Sequence, residues 1–143
     1  MTDPDEATCS LIKAVDLVGE RWTFLVLREA LAGAYRFSEF RASLGIASDV
    51  LAARLAKLVD SGLMIRRTYQ EPGQRPRDGY CLTEAGRQFN VVLYALQQWG
   101  DEHLPQTMST VVYRTADGRP VQLRFVDDEG VVVPAGDVRS GPG

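Results

Sequence analysis

Apolar positions change their period once between residues 36 and 82, after two helical stretches. In Phe37-Ser38-Glu39-Phe40-Arg41-Ala42-Ser43-Leu44 the residues Phe37, Phe40 and Leu44 recur at spacings of three and four, which predicts a short helix with one buried stripe. Gly45-Ile46-Ala47 reads as a tight turn, with a glycine suited to a helix C-terminus. A second helix follows from Asp49 to Asp60, with Ser48 as expected N-cap, Asp49 at the positive end of the dipole and Gly62 as the stop. Leu51, Leu55, Leu58 and Val59 form its apolar stripe. The opposite face carries Asp49, Ala52, Ala53, Ala56 and Lys57, with Arg54 on the flank between them. The period then shortens. Leu63-Met64-Ile65-Arg66-Arg67-Thr68-Tyr69 reads as a strand, Gln70 to Gly79 as a loop with two prolines and two glycines, and Tyr80-Cys81-Leu82 as a returning strand.

Two helices, a turn and a hairpin in that order give the layout of a winged helix-turn-helix. In that layout the N-terminal end of the second helix meets base edges, which nominates Ser48 and Asp49. The small side chains of Ala52 and Ala53 let the helix approach a groove floor, and Lys57 has the length to reach a phosphate. Arg54 is open to two roles, holding a phosphate or pairing with a carboxylate of its own domain. Arg75 and Arg77 in the hairpin loop suit the minor groove or the backbone. With Arg36 and Ser38 at the start of the first helix, these residues make up the candidate DNA-contact set.

Flanking segments repeat the helical period. Thr8 to Val18 carries a broad apolar face that ends at Gly19. Arg21 to Leu31 offers Trp22, Leu25, Val26 and Leu31 as core, and Gly33 breaks it. After the hairpin, Thr83 is the expected N-cap of a helix running to about His103. Phe89, Val92, Leu93, Leu96 and Trp99 form its stripe, and Val91, Tyr94 and Ala95 widen it beyond what one surface helix buries. The surplus points to a second copy of the same chain, and a symmetric dimer would read a pseudo-palindromic operator. Beyond residue 104, Thr110–Arg114, Val121–Val126 and Val131–Val133 read as short strands parted by Asp117-Gly118 and Asp127-Asp128-Glu129-Gly130, a small antiparallel sheet. The end, Ser140-Gly141-Pro142-Gly143, is expected to fray.

Composition adds limits. The chain has 143 residues, 45% hydrophobic and 24% charged, ordinary for a soluble protein. Its apolar runs are too short to span a bilayer, and its acidic start lacks a signal pattern, so the expected compartment is the cytoplasm with no membrane partner. The formal charge is −3, yet residues 36–87 hold nine Lys/Arg against six Asp/Glu, so the segment that would face DNA is net positive. Two cysteines, Cys9 and Cys81, and one histidine, His103, assemble no zinc motif. No nucleophile elbow, phosphate loop, dinucleotide fingerprint or metalloprotease helix occurs, which argues against an enzyme, a cofactor and a metal. The competing class is a winged helix that binds protein rather than DNA.

The blocks Cys9, Gly19–Glu29, Arg36–Phe40, Val50–Leu58, Gly62-Leu63, Tyr80–Arg87 and Trp99-Gly100 together resemble the HxlR-type regulators, MarR-like bacterial winged helix-turn-helix transcription factors. The resemblance covers about residues 8–104. It implies a DNA-binding and dimerisation domain at 8–104 with flanking dimerisation helices; residues 105–143 lie outside it, and with the small antiparallel β extension read there from the strand and turn signals the whole is an α+β chain. It implies a homodimer joined through the N-terminal and last long helices, with the Ser48–Asp60 helix in the major groove and repression as the expected sign of regulation. Some such proteins carry a zinc-ribbon-like tail; Asp117-Gly118 and Val126–Gly130 are similar to its two knuckles with the cysteines gone. Many sense oxidants or electrophiles through a cysteine near the N-terminus, which makes Cys9 the candidate redox sensor, whereas Cys81 on the last wing strand reads as structural. A small apolar or aromatic effector, with Trp22, Tyr94 and Trp99 as candidate lining, is the alternative input.

Overall fold

A computed structural model describes residues 9–105 and 111–142. The chain divides into two compact units, one ending at Asn90 and the other starting at Val91. The first unit holds α1 (Ser10–Val18), α2 (Arg21–Leu31), α3 (Phe37–Leu44), α4 (Ser48–Asp60), β1 (Met64–Tyr69), β2 (Arg77–Leu82) and α5 (Glu84–Gln88). The second is built on α6 (Asn90–His103), followed by β3 (Phe125–Val126), β4 (Val132–Val133) and a single 3-10 turn at Ala135–Asp137. The expected α+β winged helix-turn-helix is what folds.

The core of the first unit is where α2, α3 and α4 meet. Leu51, Leu55 and Leu58 of α4, Phe40 of α3, and Val26 and Leu27 of α2 are all fully buried. Burying each such side chain contributes roughly 1.5–3 kcal/mol. On α2 the buried set is Thr23, Val26 and Leu27; Trp22, Leu25 and Leu31 are only half-buried, so the expected core there was shifted round the helix. Gly45 ends α3 at φ 62°, a left-handed turn that a side chain would strain, and its N–H closes on Arg41 O at 2.9 Å. Ala47 rather than Ser48 stands at the N-cap of α4, in extended conformation, with no side-chain cap bond. Ser48 is therefore the first helical residue, and its hydroxyl is left on the surface.

The wing is longer than its composition suggested. β1 and β2 pair antiparallel from Met64 opposite Leu82 to Tyr69 opposite Arg77. Arg77, Asp78 and Gly79 belong to the strand, and the loop shrinks to residues 70–76. Asp and Gly are poor strand formers, but cross-strand pairing and a close neighbour override that preference. Gly79 is buried, and a Cβ there would run into the Tyr35 ring.

Thr83 caps α5 as expected. Its Oγ1 accepts from Gly86 N at 3.2 Å and donates to Gly62 O at 2.6 Å. The helix that follows is not continuous. It breaks at Phe89, whose N–H bonds three residues back to Gly86 O at 3.2 Å and whose ring lies 5.8 Å from Phe24. In the second unit the stripe expected to be core is largely on the surface: Val92, Leu96 and Trp99 are exposed, as is Val91. The side chains that do work there are polar. Gln97 Nε2 donates to Val111 O at 2.7 Å, and the Gln98 amide exchanges two bonds with the Leu123 backbone, at 3.1 and 3.0 Å. Tyr94 donates to Val121 O and stacks on Tyr113 at 4.3 Å.

The tail sheet is smaller than expected, with two paired residues in each of β3 and β4 and a bridge between Arg114 and Pro120. The start of the first expected strand, Thr110, lies outside the described residues. The two turns are built alike. Thr115 Oγ1 accepts from Arg119 N at 3.0 Å and Asp127 Oδ1 from Val131 N at 2.9 Å, four residues on in each case. Side-chain oxygens thus fasten both turns.

Gly86 offers a test of packing against propensity. Alanine in a helix is favoured over glycine by about 1 kcal/mol. A Cβ at Gly86, however, would press into the Leu63 carbonyl oxygen, which is backbone and cannot swing aside. Gly86→Ala should therefore destabilise the fold by about 2 kcal/mol, measured by urea unfolding; a stabilised variant would contradict this packing.

Candidate nucleic-acid interface

The outward face of α4 is open. Ser48, Asp49, Ala52, Ala53 and Ala56 are exposed. Their spacings of three and four set Asp49, Ala52, Ala53 and Ala56 on one side, opposite the leucine stripe. Ser38, on the first turn of α3, is exposed too and lines two shallow grooves. One, about 430 Å³, runs between α3 and the wing, past Tyr69, Arg77 and Tyr80. The other, about 520 Å³, follows α3 past Arg41 to Ile46.

The candidate cations divide into two groups. Arg54, left open between phosphate and carboxylate, lies with Nε 2.7 Å from Glu20 Oε2. Lys57 is exposed, but its Nζ donates to Asp16 O at 2.9 Å, a carbonyl in the last turn of α1. A cation is favoured there by the helix dipole. Arg36 sits before α3 with its guanidinium 5.0 Å from the Tyr69 ring centroid and ion-paired to Glu71. Arg75 and Arg77 are exposed and have no ion partner among the described residues. Arg41, Arg66 and Arg67 share that condition, and sequence reasoning passed over all three. The signal was present: two adjacent arginines in a strand whose pairing partner is a wing.

Two carboxylates hold this surface together, and neither was singled out from sequence. Glu20 caps α2, accepting from Thr23 N at 3.2 Å and Thr23 Oγ1 at 3.3 Å. Partial desolvation opposes its charge, but the N–H groups of Thr23 and Trp22 and the Arg54 guanidinium outweigh it and hold the carboxyl below its usual range. Glu39 accepts from Arg36 N at 2.9 Å and Tyr35 N at 2.7 Å, and these two N–H groups likewise hold its carboxyl below the usual range. Cys9 occupies the N-cap position of α1 and is exposed; Cys81 is half-buried. Of the aromatic residues considered for an effector, Tyr94 stacks on Tyr113 and Trp99 is exposed beside His103 at 5.4 Å. No helix among the described residues is long and apolar enough to cross a membrane.

Comparison with known proteins bears on this geometry. The model of the HxlR-like helix-turn-helix matches residues 17–108, which spans α2 to α6 and the whole wing. The chain belongs to the HxlR-like helix-turn-helix family. An uncharacterised HTH-type transcriptional regulator of Mycobacterium tuberculosis is 43% identical over 115 residues, 80% of this chain and 66% of that protein. The match thus spans just under two thirds of the relative's length. Among solved structures, PA1607, a candidate transcription factor, aligns over 99% of this chain and 100% of its own with 33% identity and a TM-score of 0.80. The redox regulator HypR in its reduced form aligns over 68% of this chain and 95% of its own, with 26% identity and a TM-score of 0.61. About a third of this chain therefore has no counterpart in HypR, whereas PA1607 matches nearly all of it.

The Glu20 site predicts a pH dependence. Its carboxyl is more acidic folded than unfolded, so its contribution is complete above the unfolded value and is lost as pH falls through the depressed folded one. Glu20→Gln should lower stability at neutral pH and make the acid side of the stability profile shallower, read by thermal unfolding across pH. Parallel profiles for the two proteins would contradict the assignment.

Proposed function

We propose that this chain is a sequence-specific regulator of transcription that binds double-stranded DNA as a homodimer, with α4 in the major groove and the wing along the backbone or minor groove. The observation that carries the reading is the set of wing arginines, Arg66, Arg67, Arg75 and Arg77, exposed and unpaired among the described residues beside a helix with an open face of small residues. Kinship with HTH-type transcriptional regulators supports it. Ser38, Ser48, Asp49, Ala52 and Ala53 face the bases or the adjacent backbone. Arg54 and Lys57 serve the frame that presents them, and repression is the simplest outcome of occupying a promoter.

Exposed apolar side chains on two helices support the dimer. Leu11 and Val15 on α1, and Val91, Val92, Leu96 and Trp99 on α6, are each close to half exposed or more. A second copy of the chain, carrying the same exposed faces, is a partner that would cover each of them. Cys9 supports a thiol input, since it is accessible and a structural neighbour is a redox regulator. The effector, oxidant or otherwise, acts by changing how the two α4 helices are presented.

Fluorescence anisotropy on duplex DNA across a salt series tests the reading. The affinity of the wild type should fall with a log–log slope of about −0.9 per phosphate neutralised, and removing Arg75 and Arg77 should make that slope shallower by about one for each. A salt-insensitive affinity would favour a protein-interaction module instead. In the same assay, an oxidant that releases the wild type but not Cys9→Ser would place the thiol on the switch, and equal responses would remove it.

A further inference from the structure

Strand pairing is not the wing's only tie to the helices. Tyr80 N donates to Tyr35 O at 2.8 Å, and Arg36 bridges Gly79, so the residues before α3 form a short third edge on β2. The Tyr35 ring lies over Gly79 and 5.7 Å from Tyr69. Arg36 completes the arrangement, with its guanidinium over Tyr69 and its ion pair to Glu71, just past the end of β1. Both ionic groups are about 40% exposed, so the pair is reachable from solvent.

We propose that Glu71 is a positioning residue for DNA binding, which through Arg36 and Tyr69 fixes the wing against the start of α3 and so places Arg75 and Arg77 on the DNA. This rests on the DNA-binding reading above and changes the role of Arg36 within it. Were Arg36 a phosphate contact, Glu71 would be a competing anion. A carboxylate on a DNA-facing surface repels phosphate, so its removal would then tighten binding. As a positioning residue its removal weakens binding. The two accounts differ in sign. The choice of arginine fits the second: a planar guanidinium can lie over a ring and pair with a carboxylate at once, which a lysine ammonium does less well. Local charge gives the same answer, because in this structure the Arg36 fork is already engaged by protein on two sides.

The test compares wild type, E71Q, R36E and the charge swap R36E/E71R, with the full chain and a mixed-sequence duplex at low salt. E71Q should bind about fivefold more weakly, the loss expected of one partly exposed ion pair and ring contact. Its salt slope should be unchanged, because no phosphate contact has gone. R36E should be weaker still, and the swap should recover most of that loss, since it restores the pair. Hydrogen exchange at the Tyr80 amide gives a readout free of DNA: faster in E71Q, and slowed again in the swap. Tighter or unchanged binding by E71Q, a swap no better than R36E, or equal Tyr80 exchange in wild type and E71Q would each overturn the proposal. Failure of the wild type to bind any duplex would refute the DNA reading itself, and Tyr80 exchange would then decide the wing contact alone.

Discussion

Burial of the Leu51–Leu55–Leu58 stripe is the constraint on which the rest depends. These three side chains are wholly removed from solvent against α2, α3 and the start of β1. A helix thirteen residues long would be marginal alone in water, so packing rather than propensity holds it. With one face spent on the core, the rotation of α4 is set and its small-residue face must point outward. Each buried leucine cut back to alanine would cost about 2–5 kcal/mol. The core is thus also the device that aims the candidate reading face.

Around that frame the cations serve two purposes. Arg54, Lys57 and Arg36 hold internal partners: a helix-capping glutamate, a helix-end carbonyl, and a glutamate in the wing loop. The outward arginines of the hairpin have none among the described residues. Such a division suits the proposed function of a protein whose net charge is −3, because the charge that would face phosphate is concentrated on the hairpin instead of being spread over the surface. In the proposed complex it also separates affinity from reading: the face of α4, with Asp49 and alanines, would meet base edges and methyl groups, while the hairpin would supply the charge that meets phosphate.

Much of the first unit was legible because its signals are local. The spacing of Phe37, Phe40 and Leu44, the glycine at 45, the leucine stripe and the Thr83 cap each act within a few residues. What escaped notice acts over long separations. Glu20 meets Arg54, and Arg36 meets Glu71, across more than thirty residues, and no pattern in a single sequence marks either pair. Gly79 looked like a loop residue because the Tyr35 ring that requires it is remote in sequence. The stripe on α6 was visible, but a stripe does not name the surface that covers it; Leu96 and Trp99 are exposed in the single chain. In the tail, alternation announced strands longer than the two-residue pairs that form, because side-chain hydrogen bonds from Tyr94, Gln97 and Gln98 take over the backbone groups that a wider sheet would use.

The central claim is that two copies present α4 and the wing to one duplex. Hydroxyl-radical footprinting tests it most directly, on a duplex that the protein itself enriches from a random pool. The account predicts two protected segments related by two-fold symmetry, their centres about 34 Å or a multiple of that apart. Each should be flanked by protection on the side where the wing lies. A single asymmetric footprint, or a pool that never enriches, would contradict it.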